Sequence, residues 1–107
     1  MSNIVRSMKV LSKMGYIPWK TEYYNPWGRV YKDLYGFIDI IAISPDRRET
    51  IGVQTTSYSN IWKRKEKILK NEFSKPWLLT GHRILIHGWK DNRNFKEVEV
   101  TLKDFEV

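Results

Sequence analysis

The run Phe37-Ile38-Asp39-Ile40-Ile41-Ala42-Ile43 constrains this chain more than any other segment. Its apolar, isoleucine-rich character predicts a buried strand. A carboxylate in the middle of such a strand is costly unless a partner or a metal ion takes it up. The next run, Thr50–Thr56, predicts a second strand, and Pro45-Asp46-Arg47-Arg48 between the two suits a type I turn. If Ser44 pairs with Glu49, the register puts Asp39 directly opposite Gln54 and on the same face. Alternation puts Gly52 and Thr56 on that face too, and Gly52 leaves it open to a ligand approaching the backbone.

The rest of the chain reads around this hairpin. Ser2 or Asn3 caps a first helix whose stripe is Ile4, Met8, Leu11 and Met14, stopped by Gly15. Pro18–Tyr24 predicts a strand, Asn25-Pro26-Trp27-Gly28 a turn, and Arg29–Lys32 a flexible stretch, while Gly36 permits a tight bend ahead of Asp39. Ser57 or Ser59 caps a second helix that runs to about Asn71, with Pro76 beyond its end. Arg83–Trp89 and Lys96–Leu102 are further strands, joined by a turn over 91–94. The predicted order is α-β-β-β-α-β-β: one α/β domain over residues 1–107, with a mixed central sheet flanked by helices.

Composition narrows the function. The 107 residues carry 19 Lys and Arg against 12 Asp and Glu, a formal net charge of +7, with 14% aromatic residues. The excess lies in two blocks, +4 over residues 1–33 and +5 over residues 59–83. Each block alone reads equally as a solvated face. Together, interleaved with Trp19, Tyr23, Tyr24, Trp27, Tyr31 and Trp62, they point to nucleic acid, since rings stack on bases and cations neutralise phosphates. A membrane partner is not expected: no apolar run approaches the roughly 20 residues of a span, and the basic helix lacks a large apolar face. The start, Met-Ser-Asn-Ile-Val-Arg, has no signal-peptide core. There is no cysteine, which excludes thiolate catalysis and cysteine zinc sites, and the only histidines are His82 and His87. His87 alternates with Leu85 and reads as a packed or hydrogen-bonded core histidine, His82 as an exposed loop residue. Trp77, Trp89 and Phe73 read as core.

Asp39 and Gln54, with Glu22 as a further acid from the first strand, make an oxygen-rich group suited to a hard cation such as magnesium. Such an ion activates water and neutralises phosphoryl charge, and a nearby cation stabilises the transition state. The second helix begins just after Gln54 and carries Lys63, Arg64 and Lys67, of which Arg64 and Lys67 share a face. Asp39 paired with a lysine, Gln54 bonding within the sheet and Glu22 at the surface is the alternative that residue types alone leave open.

The segments Arg29–Ile43 and Ile51-Gly52-Val53-Gln54-Thr55-Thr56-Ser57 resemble the PD-(D/E)xK nuclease superfamily, over roughly residues 2–90. Holliday-junction resolvases and small phage or archaeal endonucleases belong to it. The resemblance implies a restriction-endonuclease-like α-β-β-β-α-β core and a metal-dependent endodeoxyribonuclease. Asp39 matches the motif Asp, Glu22 the early Glu, and Asp33 a further acid of related small nucleases. Gln54 stands where the second acid belongs and Thr56 where the lysine does. Some members similarly use Gln or move the lysine to the next helix, where Lys67, Arg64 or Lys63 would serve. The implied site has Mg2+ or Mn2+ on Asp39, Gln54, Glu22 and Asp33 with the Thr55 carbonyl, and Arg29, Lys32, Lys63, Arg64, Lys67 and Trp62 along DNA. A homodimer would extend the small DNA-gripping surface, and a prokaryotic or phage-infected cytoplasm would suit such an enzyme. The alternative is a nuclease scaffold that has lost catalysis and binds DNA.

Overall fold

A computed structural model describes residues 1–106. A five-stranded sheet in the order β1-β4-β5-β6-β7 forms its centre, built from Ile17–Lys20, Ile40–Ser44, Glu49–Ser57, Arg83–Trp89 and Phe95–Val100. Among the described residues only β5 and β6 run parallel, so the sheet is mixed. Helix α1 (Asn3–Lys13) covers one face; α2 (Ile61–Lys70) and α3 (Ser74–Leu79) cover the other. This is the expected α/β architecture.

Strand alternation builds both cores. Ile51, Val53, Ile40, Ala42 and Leu85 point to the α1 face and meet Leu11 and Tyr16. Ile84, Ile86 and Val100 point to the other and meet Ile61, Ile68 and Trp77. Leu11 is fully buried, and its truncation to alanine would cost about 2–5 kcal/mol. Ser2 caps α1 by accepting the Val5 N–H (3.2 Å), and Gly15 ends it with φ of +95°. Ser7, also fully buried, breaks the apolar stripe for a reason: its hydroxyl bonds His87 Nδ1 (2.9 Å) and Trp89 Nε1 (2.8 Å) on β6. His87 is therefore the hydrogen-bonded core histidine expected, with Nε2 on Glu97 (3.0 Å).

Several local expectations are corrected. The strand predicted over Pro18–Tyr24 breaks at Thr21, whose hydroxyl donates to the Ile38 carbonyl. Beyond it Tyr23–Asn25 (β2) leaves the main sheet to pair with Val30–Lys32 (β3), so the supposedly flexible stretch is a hairpin arm. Neither Ser57 nor Ser59 caps α2 with its hydroxyl. The Ser57 hydroxyl accepts from the Asn60 amide (3.0 Å), and a 3-10 turn over Tyr58–Asn60 leads into the helix. Pro76 does not merely follow a helix but lies in the first turn of α3, where its missing N–H costs little. Phe73 is exposed, its ring packed at a tilt against Tyr35 rather than in the core.

Gly52 is not an opening for a ligand. A Cβ there would meet Ile38 at 2.9 Å and Trp77 at 3.3 Å, so the missing side chain is filled by core packing. Gly88 has a similar use, since a Cβ would stand 2.3 Å from Ile61. Its absence lets the start of α2 settle on β6, which fixes the helix that carries Arg64 and Lys67.

Candidate metal and phosphate site

The register holds as expected from Ser44↔Glu49 to Ile40↔Val53. Asp39 is not directly opposite Gln54, however, because regular pairing stops at Ile40. The Asp39 N–H donates to the Val53 carbonyl (2.9 Å), so Asp39 and Ile40 share one partner, as in a β-bulge. A bulge re-aims the side chain it displaces. The Asp39 carboxylate turns across the end of the ladder, where Oδ2 accepts the Thr55 N–H (2.7 Å), the Thr55 hydroxyl (3.1 Å) and Gln54 Nε2 (3.2 Å). Among the described residues no donor bonds Oδ1.

The other two acids arrive by backbone geometry. Thr21 and Glu22 both direct their N–H groups to the Asp39 carbonyl, at 2.8 and 3.4 Å, which brings Glu22 beside Asp39. Asp33 follows β3 and opens a tight loop closed by the Leu34↔Ile38 bridge. Gly36 makes the expected bend in that loop with φ of +82°, and Asn71 at the end of α2 donates to the Tyr35 carbonyl (3.0 Å). Carboxylate oxygens of Glu22, Asp33 and Asp39 all lie within 4.8 Å of one another.

Asp39 is only 4% exposed, and Glu22 and Asp33 are half-buried. Burial pushes the Asp39 carboxyl up to about 7; the Thr55 N–H opposes that rise and the neighbouring Asp33 adds to it. The site concentrates negative charge that water screens poorly, and a cation or a shared proton relieves it. Opposite oxygens around a magnesium ion with bonds of about 2.1 Å are about 4.2 Å apart. Three ligands cannot all stand opposite one another, and neighbouring ones are about 3.0 Å apart, so the three carboxylates must draw together by up to about 2 Å to hold Mg2+ or Mn2+.

Gln54 and Thr55 enter differently from the ligand roles the resemblance implied. Gln54 is buried and gives Asp39 an amide N–H, and the contacts of Thr55 with Asp39 run through its N–H and hydroxyl. Both residues orient the central carboxylate. The Thr55 carbonyl points to the same side of β5 as its N–H, since an extended residue turns both groups one way. Thr56 is buried and uncharged, so no cation comes from the strand itself.

Cations come from α2. Gln54, Arg64, Lys67 and Lys70 line one hollow of about 300 Å³ with Gly36 and Asn71. Lys63, Arg64, Lys67 and Lys70 line an adjoining one of about 480 Å³ with Asn60 and the acid Glu66. Lys63 thus belongs to the basic groove but not to the part that meets Gln54. Lys70, not singled out from the sequence, lines both hollows and pairs with Glu66 at 3.2 Å. Trp62 is turned away from this groove: Lys65 and Lys96 of β7 stand over its ring at 5.7 and 5.5 Å. Helical spacing explains this, since two residues on, Arg64 lies about 200° around the axis from Trp62. Arg29 and Lys32 lie on the exposed β2–β3 hairpin.

That hairpin is the feature sequence reading missed. Its signal was present, two short aromatic runs flanking Asn25-Pro26-Trp27-Gly28. Comparisons with protein-family models, curated proteins and solved structures found no match. No helix among the described residues is long and apolar enough to cross a membrane.

Proposed function

We propose that this chain is a metal-dependent endodeoxyribonuclease that hydrolyses phosphodiester bonds of DNA. The observation that carries this reading is the convergence of Glu22, Asp33 and Asp39 at the end of the sheet. Gln54 links that cluster to the hollow lined by Arg64 and Lys67. A polyanion approaching a protein of net charge +7 is attracted to such a groove.

Glu22, Asp33 and Asp39 would hold Mg2+ or Mn2+. Such an ion would supply an acidified water and neutralise charge on a phosphoryl oxygen. Gln54 and Thr55 keep Asp39 turned toward the other acids through three hydrogen bonds to one oxygen. Arg64 and Lys67 grip the phosphate and stabilise the charge that builds on its oxygens, the role the lysine two residues after the second acid has in the PD-(D/E)xK family. Lys63 adds attraction further along the groove.

One observation favours a second reading. Gln54 gives Asp39 a donor where a second acid would stand, and Thr56 is neutral. A scaffold that has lost cleavage and retained DNA binding would have this arrangement.

The test is incubation of the purified protein with labelled single-stranded, duplex and four-way-junction DNA in Mg2+, Mn2+ or EDTA, with Asp39→Ala alongside. Cleavage that needs metal and disappears in Asp39→Ala supports the nuclease. Salt-sensitive binding without cleavage in either metal supports the DNA-binding scaffold.

A further inference from the structure

We infer that the β2–β3 hairpin is a stacking surface for unpaired bases of a DNA strand lying across the acidic cluster, a deepening that rests on the proposed nuclease reading. Among the described residues the hairpin pairs only with itself. Tyr24 and Tyr31 occupy one face, with ring centroids 5.3 Å apart, and Tyr23 pairs with Lys32 on the other. Both faces are open to solvent, with Tyr23 59%, Tyr24 50% and Tyr31 68% exposed. These rings therefore bury no core, although an isolated two-stranded ribbon has little stability of its own. A cluster of large exposed apolar groups of this kind marks an interaction surface.

The tip is held in place. The Asn25 side-chain oxygen accepts N–H bonds from Trp27 (3.1 Å) and Gly28 (3.4 Å). This turn presents Trp27, which is 96% exposed. Residues 23–32 contain two cations, Arg29 and Lys32, and no acid. The two acids flanking the hairpin, Glu22 and Asp33, are members of the metal-binding cluster itself. A DNA strand with its phosphate at those acids has its neighbouring bases beside the hairpin.

Ring faces and cations without acids complement unpaired bases on a phosphate backbone. Bases in a duplex are already stacked and offer only their edges in the grooves. Each arm is about 10 Å long, room for two or three bases at about 3.4 Å spacing. A second copy of this chain is a poorer occupant, because a two-fold contact through the hairpin would set Arg29 and Lys32 of both copies against each other.

The experiment is fluorescence anisotropy with labelled oligothymidine and a duplex of equal length, both in EDTA so that nothing is cleaved. Trp27→Ala should weaken single-strand binding roughly 5- to 100-fold and duplex binding less than about twofold. Trp27→Phe should retain most of the affinity, because the ring is kept. Far-UV circular dichroism confirms that the fold is retained, as expected for so exposed a side chain. Equal losses on both DNAs, or no loss on the single strand, would overturn the inference. So would a dimer, seen by sedimentation, that Trp27→Ala dissociates. Trp27-dependent single-strand binding without cleavage in Mg2+ or Mn2+ would remove the nuclease reading and leave this one. Metal-dependent duplex cleavage together with unchanged single-strand binding in Trp27→Ala would do the reverse.

Discussion

Asp39→Asn separates a metal-binding carboxylate from a structural one. Asp39 is nearly buried, and its carboxyl is raised from 3.8 to about 7. A raised carboxyl means that the folded protein keeps a proton the unfolded chain has released. The unfolding free energy therefore falls as pH rises from about 4 to about 7 and levels off above, by at most about 4 kcal/mol. Asparagine carries no charge to bury. Its Oδ1 can still accept the Thr55 N–H, while the charge-assisted character of the bonds from Thr55 and Gln54 is lost.

The net expectation for metal-free protein near pH 8 is a gain of about 1–3 kcal/mol in Asp39→Asn, after discounting for those weakened bonds. Urea unfolding followed by tryptophan fluorescence, across this pH range in EDTA, measures both the gain and the flattened pH profile. Added Mg2+ should stabilise wild type by about 2–3 kcal/mol at a hundredfold excess over its Kd and leave the variant unchanged. An Asp39→Asn protein less stable than wild type by more than about 1 kcal/mol near pH 8, with its pH slope intact, would refute this reasoning. Asp39 would then be a hydrogen-bonding hub for the end of β5 and no cation site.

Gln54→Glu distinguishes the two functional readings: a scaffold that lost cleavage with its second acid should gain Mg2+-dependent cleavage, whereas a site that uses the amide as a donor should lose it, as measured on labelled DNA. Arg64→Ala or Lys67→Ala should lower kcat about 10²- to 10³-fold, while Lys63→Ala should chiefly reduce the salt dependence of binding by about one phosphate contact, measured by titration at several salt concentrations. Ser7→Ala leaves the indole N–H of Trp89 without its acceptor and should cost about 1–3 kcal/mol in urea unfolding with no effect on cleavage. Glu49 is held below its ordinary value by the Tyr16 hydroxyl and then by Arg83. That contribution is present above about pH 4.5 and lost as pH falls below it, so Glu49→Gln should flatten the acid limb of the stability profile without touching the window set by Asp39.

Much of this architecture was legible because local rules act strongly. The turn over 45–48 fixes the β4–β5 register, and strand alternation then assigns Ile51, Val53, Ile40 and Ala42 to one face. The capping serine and Gly15 bound α1. What could not be read depends on contacts distant in sequence. The bulge at Asp39 depends on its N–H bonding Val53 on β5 while its carbonyl takes the N–H groups of Thr21 and Glu22 from the other side. Gly52 looks like an opening until Ile38 and Trp77 arrive to fill it. The acids Glu22 and Asp33 could be named from their resemblance to a motif, but their meeting depends on the intervening residues folding back as a hairpin. Trp62 looked like a neighbour of Arg64 because it is close in sequence, whereas helical periodicity sends the two side chains to different sides.

The hairpin links recognition to chemistry through covalent proximity. Glu22 directly precedes β2, and Asp33 directly follows β3. Displacement of the hairpin arms moves the backbone of both acids, while Asp39 stays anchored to β5 through Val53, Gln54 and Thr55. The cluster thus has one rigid carboxylate and two that depend on a small ribbon exposed on both faces. A ligand that orders the ribbon also narrows the positions open to Glu22 and Asp33, and so favours cation binding. By linkage, a cation that draws the three carboxylates together orders the ribbon by the same free energy. On the proposed reading, DNA binding at the aromatic face and cation binding at the acids would be one coupled equilibrium, with the two hairpin roots as its mechanical connection.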